Sequence, residues 1–136
     1  MTRGRMLRFL GGVAVGACVS WIVLQGGIAL LEAAWPSYAA AAPTRAYTLP
    51  MLFARLVVFS TMIVATSAAA ARAAREPRMA WVAGIAILVY SLPLHTPPGV
   101  VWDAYPLLYH LVYLASILPL AWLGGHWERS PDPEPA

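Results

Sequence analysis

The sequence predicts an all-α integral membrane protein, a four-helix bundle with both termini in the cytoplasm. Three observations favour this fold. Of the 136 residues, 60% are hydrophobic and 11% are charged, whereas a soluble domain usually has about a quarter of its residues charged. The apolar residues fall into four long runs, and the basic residues are all arginines, most of which lie near the ends of those runs. The length predicts one domain, which we place at residues 1–129.

The four apolar runs predict transmembrane spans at about residues 9–31, 49–71, 79–94 and 104–125. A helix needs about 20 apolar residues to cross the hydrocarbon core, with about 17 as the lower limit. The first, second and fourth runs reach this length. The third is shorter and ends near Pro93, so it requires a locally thinner bilayer or flanking side chains that reach outward.

The first run begins like a secretion signal, with arginines, an apolar stretch and then Cys18 after Val-Gly-Ala. The apolar stretch continues well past Cys18, whereas a signal core ends after about 7–15 residues. We therefore interpret this run as an uncleaved span rather than a cleaved signal. A lone cysteine forms no internal disulfide and indicates no metal cluster.

A stripe of small residues lies on one face of the first span, because Gly12, Gly16 and Ser20 recur at four-residue spacing. Small residues allow the close backbone approach that holds helices together in lipid. Two interpretations remain. We favour packing against another helix of the same chain; the alternative is homodimerisation. Besides lipid, the candidate partners are therefore further copies in a homo-oligomer or a larger membrane complex.

The arginines predict the orientation of the spans. Three precede the first span, three separate the second from the third, and one follows the fourth, whereas the opposite side has only Arg45. Basic residues in short loops mark the cytoplasmic face. Because they lie at span ends, the arginines between spans two and three favour anionic lipid headgroups as the partner, and not nucleic acid; they are Arg72, Arg75 and Arg78.

The connections and the C-terminus are predicted to be less regular. The outer loop, residues 32–48, contains prolines that break helices and aromatic residues suited to the water–lipid boundary. Pro106 is placed in the first turn of the fourth helix, where proline is tolerated. The tail, residues 130–136, is proline-rich and acidic, which predicts disorder.

A cluster of polar residues is predicted in the outer half of the bundle. Arg55 and His110 each lie six residues into an inward-running span, about 9 Å deep at 1.5 Å per residue. An unpaired charge in lipid costs several kcal/mol, so we expect Arg55 to pair with Glu32 and His110 to bond Asp103, on its own helix face, or a tyrosine hydroxyl. The candidate cluster comprises Glu32, Arg55, His95, Asp103, Tyr109 and His110.

This cluster has two interpretations. It is either an interhelical clasp, which we favour, or a small outward-facing polar pocket. The clasp and the pocket require the same pairing of polar side chains, but only the pocket also requires a ligand, so we favour the clasp.

The segment "VWDAYPLLYHLVYLASILPLAWLGG" resembles the ending of a group of small uncharacterised bacterial four-span membrane proteins. The shared features are a tryptophan, an aromatic–proline pair, a Tyr-His step, a second proline and a closing Leu-Gly-Gly. The group often has a tryptophan just before the Tyr-His step, whereas this chain has Leu108 at that position. The resemblance implies a bacterial inner-membrane location and brings no activity. The matching positions are Trp102, Tyr105, Pro106, Tyr109, His110, Pro119, Gly124 and Gly125, and more weakly Glu32, Arg55 and His95.

Three classes of function remain open. The first, which we favour, is a non-enzymatic accessory or structural membrane protein. The second is a small transporter or permease subunit that uses the polar cluster as a substrate or proton site, although carriers place such sites nearer the midplane. The third is a haem-binding electron carrier with His95 and His110 as axial ligands. We expect no enzyme, cofactor or metal site, because the sequence has no nucleophile–base set, phosphate loop or metal-ligand spacing.

Overall fold

The computed structural model describes residues 2–127, and within that range the chain is helical without a strand. This confirms the all-α prediction for the described residues. The tail predicted to be disordered, residues 130–136, lies outside them. The helices are α1 (Arg3–Ala34), α2 (Pro36–Ala41), α3 (Leu49–Ala74), α4 (Met79–His95) and α5 (Leu107–Trp127), with a 3₁₀ turn at Trp102–Ala104.

Three of these helices, α1, α3 and α5, are long and apolar enough to cross a membrane. Helix α4 is equally apolar but has 17 residues, which gives a length of about 26 Å against a hydrocarbon core of about 30 Å. The three long helices indicate that the protein associates with a membrane.

Helices α3, α4 and α5 pack on one another, whereas α1 packs mainly on α3 and touches α4 little. The core between α3 and α5 contains Met62 and Ile63 on one side and Tyr113, Ile117 and Ala121 on the other. Helix α1 is peripheral, since its buried residues are two glycines, Gly12 and Gly16. Most of the α1 surface is therefore available to lipid or to a partner.

The small-residue stripe of α1 faces α3. A Cβ atom at Gly12 would lie 2.9 Å from the carbonyl oxygen of Ala70, and one at Gly16 would lie 3.2 Å from the Ala70 Cβ. Ser20 Oγ donates a hydrogen bond to Met62 Sδ at 3.2 Å. In this structure the stripe is thus used for packing within the chain.

One end of the packed helices carries most of the arginines, and we call it the arginine-rich end. Arg5 Nη2 lies 3.5 Å from Glu76 Oε1, so the start of α1 meets the turn between α3 and α4. Gly125, near the end of α5, lies against Ala80 and the Pro77 carbonyl at the same end. The start of α1 and the end of α5 therefore lie at the same end of the packed helices.

The opposite end, where the rings of Tyr38, Tyr47 and Tyr105 contact one another, is called the aromatic end. It differs from the expected layout in two places. Helix α2 forms in the connection where prolines were expected to break helices, because Pro36 occupies the start of α2 and a first-turn proline lacks only an N–H that would go unused. Helix α5 starts at Leu107, after Pro106, so Pro106 precedes the helix rather than lying in its first turn. Proline disfavours helical geometry in the residue before it, and Tyr105 is extended.

Candidate functional site

Two buried histidines meet at the aromatic end. His95 is the last residue of α4, and His110 lies in the first turn of α5. Their Nδ1 atoms are 2.9 Å apart, and the side chains are 8% and 1% exposed. This contact joins the two helices directly.

The surroundings of His110 determine how the pair shares its protons. His110 Nε2 lies 3.1 Å from the Trp102 carbonyl oxygen and 3.2 Å from that of Tyr105. Carbonyls only accept, so Nε2 carries the hydrogen and the Nδ1 of a neutral His110 is an acceptor. His95 Nδ1 therefore donates to His110.

Aromatic rings enclose this pair. The Trp102 ring stacks on His110, with centroids 5.0 Å apart, and Tyr113 stacks on His95 at 4.5 Å. The Tyr113 hydroxyl shares a 3.1 Å hydrogen bond with Ser91 Oγ of α4. These contacts fix both imidazole planes and add a second polar link between α4 and α5.

Arg55 is held by phenols and ring faces. Its Nη1 donates to the Tyr38 hydroxyl at 2.9 Å, and its Cζ lies 5.4 Å from the ring centres of Tyr47 and Phe59 and 5.9 Å from that of Tyr105. Cation–π contacts of this kind stabilise a charge that has left water. Burial raises the pKa of Tyr47, which lies between α2 and α3, so its hydroxyl stays protonated. Arg55 Nε is buried and has no hydrogen-bond partner among the described residues.

The predicted ion pair between Glu32 and Arg55 is wrong. Glu32 is exposed on α1, and the two side chains form no salt bridge in the described part of the chain. The reason is helix α2, which places the Tyr38 hydroxyl where Arg55 was expected to find a carboxylate.

The predicted bond between His110 and Asp103 is also wrong. Asp103 is exposed and belongs to the 3₁₀ turn, not to α5. Because the helix does not extend through Pro106, the seven-residue spacing between Asp103 and His110 does not place them on one helix face. The backbone carbonyls of this turn bond His110, while the Asp103 side chain does not.

Of the candidate residues, the structure brings together Arg55, His95, Tyr109 and His110. Tyr109 is buried and packs edge-on against His110 at 6.0 Å. The sequence interpretation missed several members, and it assigned those in the outer loop, residues 32–48, to the water–lipid boundary. One was recognisable by spacing, since Tyr113 lies three residues after His110 on the same face. The missed members are Tyr38, Tyr47, Ser91, Trp102, Tyr105 and Tyr113.

The geometry does not fit a haem held by His95 and His110. Axial ligands lie on opposite faces of the iron, so their nitrogens are about 4 Å apart, twice a typical metal–imidazole bond. Here the two Nδ1 atoms bond each other at 2.9 Å, and His110 Nε2 faces backbone carbonyls. The described residues also contain no group of three or more potential metal ligands.

No protein-family model, curated protein or solved structure matches the chain. The functional argument therefore depends on the geometry of this cluster.

Proposed function

We propose that the protein is a non-enzymatic accessory or structural component of a bacterial inner membrane, crossing it four times with both termini in the cytoplasm. The cluster at the aromatic end acts as an interhelical clasp. In this arrangement α4 is the third of the four spans, and it is shortened at the clasp.

The observation that carries this proposal is that the buried polar side chains of the cluster bond one another, although the Nε of Arg55 has no partner among the described residues. His95 bonds His110, Ser91 bonds Tyr113, and Arg55 bonds Tyr38, so polar groups from α2, α3, α4 and α5 are joined in pairs. Buried polar groups that are hydrogen-bonded stabilise one arrangement of the helices, whereas a binding pocket needs donors and acceptors left free for a ligand.

The location has separate support. Arginines of α1 and of the α3–α4 turn lie at one end, close enough for Arg5 to reach Glu76, and basic residues favour the cytoplasmic side. The resemblance of the segment around α5 to small bacterial four-span proteins agrees with the same location.

The accessory role is tested by purifying tagged protein from its native membrane in lipid discs made without detergent. We expect a stoichiometric partner, either another protein or a second copy, in native mass spectra. The exposed α1 residues Trp21 and Ile22 provide matched variants: each changed to alanine should leave the fold intact, and a partner seated on α1 should then dissociate. A protein that stays monomeric at all concentrations would contradict the accessory role.

A proton path is the second candidate, because the His95–His110 bond is a donor–acceptor chain that ends at the carbonyls of Trp102 and Tyr105. The purified protein in liposomes with an internal pH indicator distinguishes the two functions. The clasp predicts proton leakage equal to that of protein-free liposomes. A leak that disappears in His110→Asn, while the variant stays folded, would favour transport.

A further inference from the structure

A groove runs along the face of α1 that turns towards α3 and α4. Its volume is about 320 Å³, and it is lined almost entirely by apolar side chains of these three helices, together with Tyr113 of α5. Its floor is buried, as Met62 and Ala70 show, whereas its rim includes the exposed Tyr90. The groove therefore opens onto the surface that lipid covers if these helices are in a membrane.

A charged pocket of about 290 Å³ lies at the arginine-rich end, between the start of α1 and the α3–α4 turn. Its lining includes Arg5, Arg8, Arg75 and a single carboxylate, Glu76, which leaves two net positive charges. Arg5 pairs with Glu76 at 3.5 Å, and no described carboxylate pairs with Arg8 or Arg75. The pocket therefore has the charge to hold an anion.

The pocket and the groove follow one another along two helices, on either side of the contact between Gly12 and Ala74. On α1, Arg8 lines the pocket, and Gly12, four residues or about 6 Å further along the helix, lines the groove. The groove lining on α1 continues to Leu24, about 18 Å beyond Gly12. On α3, Ala74 lines the pocket and Ala70 lines the groove on the same face. A molecule with one charged end and one long apolar end that lies over this contact would reach both.

We propose that an anionic glycerophospholipid binds along α1, with its phosphate at Arg5, Arg8 and Arg75 and one acyl chain in the groove. Charge complementarity selects the head, and the nearly non-polar groove selects a hydrocarbon chain over an extended peptide, whose backbone would lack hydrogen-bond partners there. The site goes beyond the accessory role and depends only on membrane embedding.

The test compares phosphatidylglycerol with phosphatidylcholine of identical chains, titrated into the full-length protein in mild detergent. We expect phosphatidylglycerol to raise the unfolding temperature and to appear as a one-to-one adduct in native mass spectra. Phosphatidylcholine should bind at least about tenfold more weakly, and inorganic phosphate should leave the unfolding temperature unchanged. Equal binding of the two lipids, or a shift with phosphate equal to that with phosphatidylglycerol, would overturn the proposal.

Two charge variants locate the head. Arg8→Gln combined with Arg75→Gln should weaken phosphatidylglycerol binding about 30-fold, roughly five- to sixfold per arginine, while Arg3→Gln, outside the pocket lining, should not. Glu76→Gln frees Arg5 and removes the competing carboxylate, so it should tighten binding several-fold. Weaker binding by Glu76→Gln would contradict a head at this pocket, even if the arginine variants were less stable.

One pair of variants locates the chain. Ala17 lines the groove and is exposed at its edge, whereas Ala14 is exposed and outside the groove lining. Ala17→Leu should reduce lipid binding and Ala14→Leu should not, with far-UV circular dichroism as the check on folding. Equal effects of the two variants, or a second protein copy in place of the lipid adduct, would refute the placement of the chain.

Discussion

His110 is the residue whose environment contrasts most with its chemistry, since an ionisable ring is 1% exposed. Its Nε2 hydrogen and Nδ1 lone pair both have partners, in the 3₁₀ turn and in His95. We expect His110→Ala to destabilise the protein by about 2–4 kcal/mol, from a lost hydrogen bond, an unpaired group and a cavity. His126 is exposed in α5, and His126→Ala should change stability by less than about 0.5 kcal/mol. Unfolding in mild detergent measures the stability of both variants, and similar losses of stability in His110→Ala and His126→Ala would contradict the clasp.

Arg55 shows how one hydroxyl replaces an expected carboxylate. Because Arg55 contacts Tyr38 and not Glu32, a double-mutant cycle of Arg55→Leu with Tyr38→Phe should give a coupling energy of about 0.5–3 kcal/mol. The cycle of Arg55→Leu with Glu32→Gln should be additive within about 0.5 kcal/mol. Both cycles use the same unfolding assay. Coupling to Glu32 without coupling to Tyr38 would restore the ion pair predicted from the sequence.

The helices were more predictable than their connections. Runs of apolar residues predicted spans at 9–31 and 49–71, and the structure has α1 at Arg3–Ala34 and α3 at Leu49–Ala74. Apolar composition determines where a helix can lie in lipid, but not how far a polar end continues outside it. The six-residue helix α2 was missed because Pro36 was taken as a helix breaker, although the same residue favours a helix start.

Contact between α1 and α3 depends on the absence of a side chain at Gly12, which is a glycine. A Cβ atom there would meet both the Ala70 carbonyl and the Ala74 Cβ at 2.9 Å, whereas one at Gly11 would meet nothing within 4 Å. We expect Gly12→Ala to destabilise the protein by about 1–3 kcal/mol through overpacking. Gly11→Ala should be neutral or stabilising by up to about 1 kcal/mol, through helix propensity. Equal effects would show that α1 does not pack on α3 by this face.

Across the whole molecule, sequence reasoning predicted how deep along a span the polar residues lie better than it predicted which neighbours their side chains face. Counting residues from a span end placed Arg55 and His110 at similar depth, and both belong to the cluster. Depth says nothing about which neighbour a side chain faces, because that depends on helix rotation and on loops such as α2. Tyr38 was therefore missed as the partner of Arg55, and His95, although predicted in the cluster, was not predicted to bond His110. The exposed Glu32 and Asp103 were assigned as partners in their place.

The four-span arrangement predicts which loops are reachable from each side of the membrane. Single cysteines in a Cys18→Ala background report this with a membrane-impermeant maleimide on intact cells. Thr44→Cys and Asp103→Cys lie at exposed positions of the aromatic end, so they should react from outside. Arg3→Cys, at an exposed position of the arginine-rich end, and Glu76→Cys in the α3–α4 turn should react only after the cells are permeabilised. Because α4 has only 17 residues, its two flanks decide the span count: labelling of Glu76→Cys and Asp103→Cys from the same side would show that α4 does not cross.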